Sequence, residues 1–160
     1  MVRILVRQHH PNNRDKHSMK TVYSQPNSQE FWQEQLDKVV AQCEARDIEV
    51  NVGSRKENML LIYEDRYVIW LNSRVKPETR LYLLLHELGH VFILRDKKLI
   101  TKFSRVNSKA KSLSLKILEI EEEVLAWHMG EQFARKNDIY LGPGFLLCKA
   151  KCLKTYISSV

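Results

Sequence analysis

Two histidines stand four residues apart in His86-Glu87-Leu88-Gly89-His90, an HExxH segment. On a helix, residues i and i+4 share a face, so both imidazoles can reach one divalent ion. Zinc accepts imidazole nitrogen at about 2.0–2.1 Å. The carboxylate after the first histidine then stands beside the metal, where it can take a proton from metal-bound water. Such a set predicts peptide-bond hydrolysis: a bound metal would supply Lewis acidity, and the carboxylate would return the proton to the leaving amine. His86 and His90 are thus candidate metal ligands, Glu87 is the candidate general base, and Zn²⁺ is the expected cofactor. Leu84, Leu85, Leu88 and Val91 make this helix a core element. Burying two imidazoles and a carboxylate there is costly unless something binds them.

A catalytic zinc takes three protein ligands and keeps one position open. Asp96 follows His90 by six residues, but a ligand there needs a sharp glycine turn, and position 93 is Ile. The acidic run Glu119-Ile120-Glu121-Glu122-Glu123 is the better source. At about 100° per residue, Glu119, Glu123, Ala126 and Gly130 form one stripe. The two small residues would let a neighbouring helix approach closely. Glu123 is the first choice for third ligand and Glu119 the second. Glu122 is open if the helix is rotated, and Glu121 points away. Acids this dense repel, which a divalent cation or the nearby basic segment would relieve.

The chain must place these groups with a small set of elements. Ser28 reads as an N-cap for a helix over 28–46. The sheet falls in 48–72: a short alternating run at 48–52, then a hairpin over 60–72 with Glu64-Asp65-Arg66 at its tip. Pro77 and Glu78 suit the first turn of the HExxH helix, 77–94. Residues 95–111 read as a basic loop and 112–137 as the helix carrying the third ligand. Gly142-Pro143-Gly144 breaks the chain before a last helix at 145–157. Strands segregated from helices predict an α+β domain, with a small antiparallel sheet packed on the HExxH helix and a second long helix. A peptide substrate would add to a sheet edge, for which strand 67–71 is the candidate.

The 160 residues suit one domain, 1–160. No run approaches the roughly 20 apolar residues of a membrane span, and the opening MVRILVRQHHPNNRDK has no signal-peptide core, so a cytoplasmic location is expected. Three cysteines cannot close a disulfide framework. Cys148 and Cys152 share a helical face but make a poor metal site alone, and read as buried or inert thiols. The net charge of +7 lies in one place. Between Arg95 and Lys116 eight cationic side chains face a single acid, Asp96. That segment is a solvated loop or a contact for an acidic or nucleic-acid partner. Phe103 is its one aromatic, so single-strand stacking is poorly supported. His9, His10 and His17 read as surface histidines. Tyr63, Tyr82, His128 and His17 are all open as oxyanion donors.

Residues 60–135 resemble the ImmA/IrrE-like family of zincin metallopeptidases. The likeness rests on the strand YVIWLNS, the helix start KPETR, the aliphatic run into HELGHVF, and an acidic helix with Glu123-Val-Leu-Ala126-Trp127. It implies a zincin-like minimal metallopeptidase domain, with zinc on His86, His90 and Glu123 and Glu87 as base. Related zincins often carry Asp or Asn four residues after the third ligand, to orient a ligand histidine. Here that residue is Trp127. Family members tied to phages and mobile elements cleave or regulate a repressor. The expected function is therefore zinc-dependent hydrolysis of a specific protein substrate. The alternative is a non-catalytic binding module of the same fold, recognising a regulatory protein or nucleic acid through residues 95–116.

Overall fold

The computed structural model describes residues 28–54, 58–64, 66–104 and 112–158. The expectations for His9, His10, His17, Asp65 and the 105–111 part of the basic segment fall outside these. The elements run α1 (Gln29–Glu44), β1 (Ile48–Gly53), β2 (Met59–Tyr63), β3 (Arg66–Asn72), α2 (Pro77–Arg95), α3 (Lys97–Phe103), α4 (Leu113–Lys136) and α5 (Gly144–Ile157). The architecture is α+β, five helices and a small three-stranded sheet among the described residues, consistent with a small zincin-like domain.

The sheet is mixed rather than antiparallel throughout. β2 and β3 form the hairpin, antiparallel, with Leu60 opposite Ile69. β1 pairs with the other side of β3 in parallel, with Val50 opposite Ile69, giving the order β1-β3-β2. The reason lies in β3 itself. Val68, Ile69 and Leu71 are buried, so both faces of this strand are covered. A strand apolar on both faces gains most in the centre of a sheet, whereas β2, whose last residues are exposed, suits an edge. The expectation that strand 67–71 offers an open edge is thereby overturned: both its sides are hydrogen-bonded, and the sheet edges belong to β1 and β2.

Helix α2 is the hub. Pro77 occupies its first turn, where a missing N–H costs nothing, and Glu78 sits at the positive end of the helix dipole. Leu81, Leu84, Leu85, Leu88 and Val91 are fully buried around it. It packs against α1, α4, α3, α5 and the sheet. An aromatic chain joins the outer helices to it. Trp32 of α1 meets Tyr82 at 5.8 Å between ring centroids, Tyr82 meets Phe145 of α5 at 5.4 Å, and Phe145 meets Trp127 of α4 at 5.6 Å. The turn out of α1 uses Asp47 at φ 56°, a left-handed conformation that Asp tolerates better than most side chains.

Part of the expected basic loop is helical. Asp96 ends α2 and caps α3, its carboxylate accepting from the N–H groups of Lys98 (2.8 Å) and Leu99 (3.1 Å). Phe103 then pins α3 to a cluster with Ile93 and Ala126. One cap, one buried aromatic and Leu99 packed beside it thus order these seven residues. Asp96 is committed to this cap and stands outside the convergent ligand group. Asp96→Ala is expected to destabilise the protein by about 1 kcal/mol, read as a lower urea midpoint with unchanged slope. An unchanged midpoint would show that the cap contributes nothing.

Candidate metal centre

The crossing of α2 and α4 brings the sequence-distant groups together. A Cβ placed on Gly89 would fall 1.9 Å from the carbonyl oxygen of Ala126, and one on Gly130 would fall 2.1 Å from that of Leu85. The two contacts run in opposite order along the helices, so α2 and α4 are antiparallel and touch backbone to backbone. The Ala126/Gly130 stripe meets its counterpart, Gly89, inside the HExxH segment itself. At this separation Glu123 reaches both histidines.

His86, His90 and Glu123 each offer one ligand atom, all within 4.8 Å of one another. His86 Nε2 lies 3.2 Å from Glu123 Oε2, and His90 Nε2 lies 3.5 Å from Glu123 Oε1. Ligand atoms at the corners of a tetrahedron around zinc, with arms of about 2.0–2.1 Å, are about 3.3 Å apart. Glu123 Oε2 is buried and has no well-formed hydrogen bond among the described residues. The side chains therefore fit a divalent metal: two imidazoles and a carboxylate aimed at one point, a donor set that suits zinc.

The four acids of the run separate by role. Glu119 bonds Lys116 at 2.8 Å, and Glu121 bonds Lys102 at 2.8 Å. Glu122 stands 3.6 Å from His90 Nδ1, on the side of the ring away from Glu123. Only Glu123 is shared between both histidines. The repulsion inherent in the run is thus relieved by the basic segment at Glu119 and Glu121 and by the imidazoles at Glu122 and Glu123. Burial alone would push Glu123 up, but His86 and His90 outweigh it and hold the carboxyl at about 2. Burial opposes the charged form of His90, yet Glu122 and Glu123 raise it to about 10. Burial pushes Glu87 up as well, with His86 and His90 opposing and Glu123 adding to the rise.

Two side chains flank the imidazoles. Glu122 stands beside His90 Nδ1, with Nε2 of the same ring turned to Glu123. Trp127, the departure from the Asp/Asn pattern, stacks flat on His86 with centroids 4.5 Å apart and planes at 20°. His86 Nδ1 has no hydrogen-bond partner among the described residues. Its ring is held by the fully buried indole instead of by a carboxylate. Glu123→Gln is expected to weaken zinc binding by at least about 100-fold, and Glu122→Gln by about 10–100-fold. Glu119→Gln should leave it unchanged. Competition against a chromophoric chelator measures all three, and equal losses in all three would place the ligand elsewhere.

The expected oxyanion donors do not converge. Tyr82 is a core residue whose hydroxyl donates to Glu78 Oε1 (2.8 Å) and accepts from Gly142 N–H (3.2 Å). His128 is exposed and pairs with Gln132 at 2.9 Å. Tyr63 is exposed on β2. The structure instead brings up Tyr156 of α5, half-buried and hydrogen-bonded to the Glu123 side chain. Tyr156 shares a helical face with Cys148 and Cys152, four residues on, but nothing in the sequence ties that face to the histidines. The thiols themselves are half-buried.

No curated protein and no solved structure matches the chain. A family model does. It is described as the IrrE N-terminal-like domain (Peptidase_M78) and covers residues 43–129, from the end of α1 through the HExxH helix to the carboxylate-bearing half of α4. The chain belongs to this peptidase family.

Proposed function

We propose that the protein is a zinc metallopeptidase that hydrolyses a peptide bond in a specific protein substrate. The observation that carries this reading is the convergence of His86, His90 and Glu123 with Glu87 beside them. A purely structural site would have no use for that fourth group, a second carboxyl. His86, His90 and Glu123 would hold the ion, which when bound supplies Lewis acidity for hydrolysis. Glu87 takes up the proton lost by the attacking water and delivers it to the leaving amine. Trp127 and Glu122 keep the imidazoles in the geometry this transfer needs. β2 is the sheet edge that contacts α2, so an extended substrate would add there, fixed by main-chain hydrogen bonds. The family resemblance makes a regulatory protein the substrate class of choice.

No helix among the described residues is long and apolar enough to cross a membrane. Lys102 of α3 reaches across to Glu121 of α4, whereas Lys116 pairs with Glu119 within α4 itself. The competing reading is a binding module that recognises a regulatory protein or nucleic acid through the basic segment. The test is digestion of a random peptide library by the zinc-loaded protein, by the chelated protein, and by the chelated protein with zinc restored. Cleavage that disappears with the metal and returns with it is expected. Binding of nucleic acid with steep salt dependence, without cleavage, would favour the competing reading.

A further inference from the structure

Helix α5 packs against both α2 and α4, and so lies alongside the two helices that carry the site. Phe145 anchors its first turn between Tyr82 and Trp127. Cys148, Cys152 and Tyr156 then follow at intervals of four, a single face of the helix. That face looks into the core: Cys148 and Cys152 pack against the cluster that contains Tyr82, Leu85 and Trp127. One turn further, the phenol of Tyr156 bonds the Glu123 side chain and lies within the field of Glu87. The ammonium of Lys116, itself tied to Glu119, stands 5.7 Å from the centroid of the Tyr156 ring and steadies it against the first turns of α4.

From the position of its ring on this face of α5, we propose that Tyr156 is a catalytic residue, its hydroxyl donating a hydrogen bond to the oxyanion that forms on the substrate carbonyl. The inference rests on the peptidase reading above. Its physical basis is a competition for one acceptor. The hydroxyl now faces the Glu123 carboxylate, whose lone pairs are those a bound ion would take. A donor displaced from that carboxylate is released to turn to a new acceptor, the carbonyl oxygen of a peptide held between Glu87 and Glu123. Other phenol and imidazole donors on α2 and α4 are engaged elsewhere: Tyr82 with Glu78 and Gly142, His128 with Gln132. A neutral phenol suits the role, because it stabilises charge as it develops without placing a second cation beside the metal.

The test compares full-length wild type with Tyr156→Phe, which keeps the ring and removes only the hydroxyl. Denaturant midpoints establish that both fold alike, and His128→Phe serves as a second phenyl substitution outside the site. The first readout needs no substrate. Zinc added to the metal-free protein should give a tyrosine difference spectrum in wild type and in His128→Phe, but not in Tyr156→Phe. Zinc stoichiometry should be the same in all three. The second readout is cleavage of the best peptide found in the library. Loss of one oxyanion donor is expected to lower kcat by about 10²–10³-fold, with KM within a few-fold. Unchanged kcat in Tyr156→Phe, beside an active wild type, overturns this inference and leaves the peptidase reading standing. Loss of zinc from Tyr156→Phe also overturns it, by making the tyrosine part of the metal site. A zinc-loaded wild type that cleaves no peptide overturns the peptidase reading, and this inference with it.

Discussion

Glu87→Gln is expected to retain wild-type zinc content and to cleave peptide about 10²–10⁴-fold more slowly, the span that positioned acid–base groups contribute. The substitution is close to isosteric, so α2 and its contacts stay as they are. What it removes is a carboxyl group beside the site that is neither part of the convergent trio of His86, His90 and Glu123 nor, like Glu122, paired with the far edge of His90. An amide cannot take a proton from water or return one to an amine. Metal content by mass spectrometry, beside kcat on one library peptide, separates the possible roles. Lost zinc would make Glu87 a ligand. Undiminished kcat with zinc retained would remove it from proton transfer. A protein whose real task is binding would be indifferent to the change, so the same variant also decides between the two functional readings.

The second large effect is on the scaffold. Gly89→Ala is expected to cost at least about 3 kcal/mol, the upper part of the range for overpacked interiors. Helix propensity would favour alanine by about 1 kcal/mol, so the steric term must exceed that gain before any loss appears. It does so because the opposing atoms cannot swing away. The new Cβ would meet Ala126 at its carbonyl oxygen (1.9 Å), carbonyl carbon (2.6 Å) and Cα (2.9 Å), all backbone. The helices must separate, and Glu123, one turn before Ala126, moves from the histidines with them. Zinc affinity should therefore fall together with stability, and Tm by about 6–12 °C for a chain of this size. Gly144→Ala is the control. Its Cβ would meet the carboxylate end of Glu78, a flexible group, at 2.6 Å, and its effect should stay within about 1 kcal/mol. A Gly89→Ala protein that melts with the wild type would show that α2 and α4 do not cross in contact.

Much of the site was legible from residue types and spacing because its chemistry is local. The i, i+4 histidines and the intervening Glu87 need only a helix, and Pro77, Glu78 and the aliphatic run supply one. Ser28 marks a helix start by hydroxyl chemistry alone and accepts from Phe31 N–H, and Ser112, the expected start of α4, does the same for Leu115 N–H. The stripe Glu123-Ala126-Gly130 could be read from one helix, since carboxylate and small residues share a face whatever packs there.

What one helix cannot disclose is its rotation and its partner, and that is where tertiary structure decided. Glu119 and Glu123 are equivalent by angle. They differ because Lys116 lies beside the first and the histidines beside the second. Glu122 and Trp127 acquire their positions against His90 and His86 only once α4 is docked. The parallel pairing of β1 depends on β3 burying both faces, a property of what covers the sheet rather than of the strand's own alternation. Tyr156 lies 33 residues beyond Glu123, and no periodicity links them. Their contact exists because Phe145 anchors α5 to the aromatic chain that runs from Trp32 to His86. Local spacing selects the chemistry a chain can do, but which equivalent group does it is settled by long-range packing, which no single helix or strand encodes.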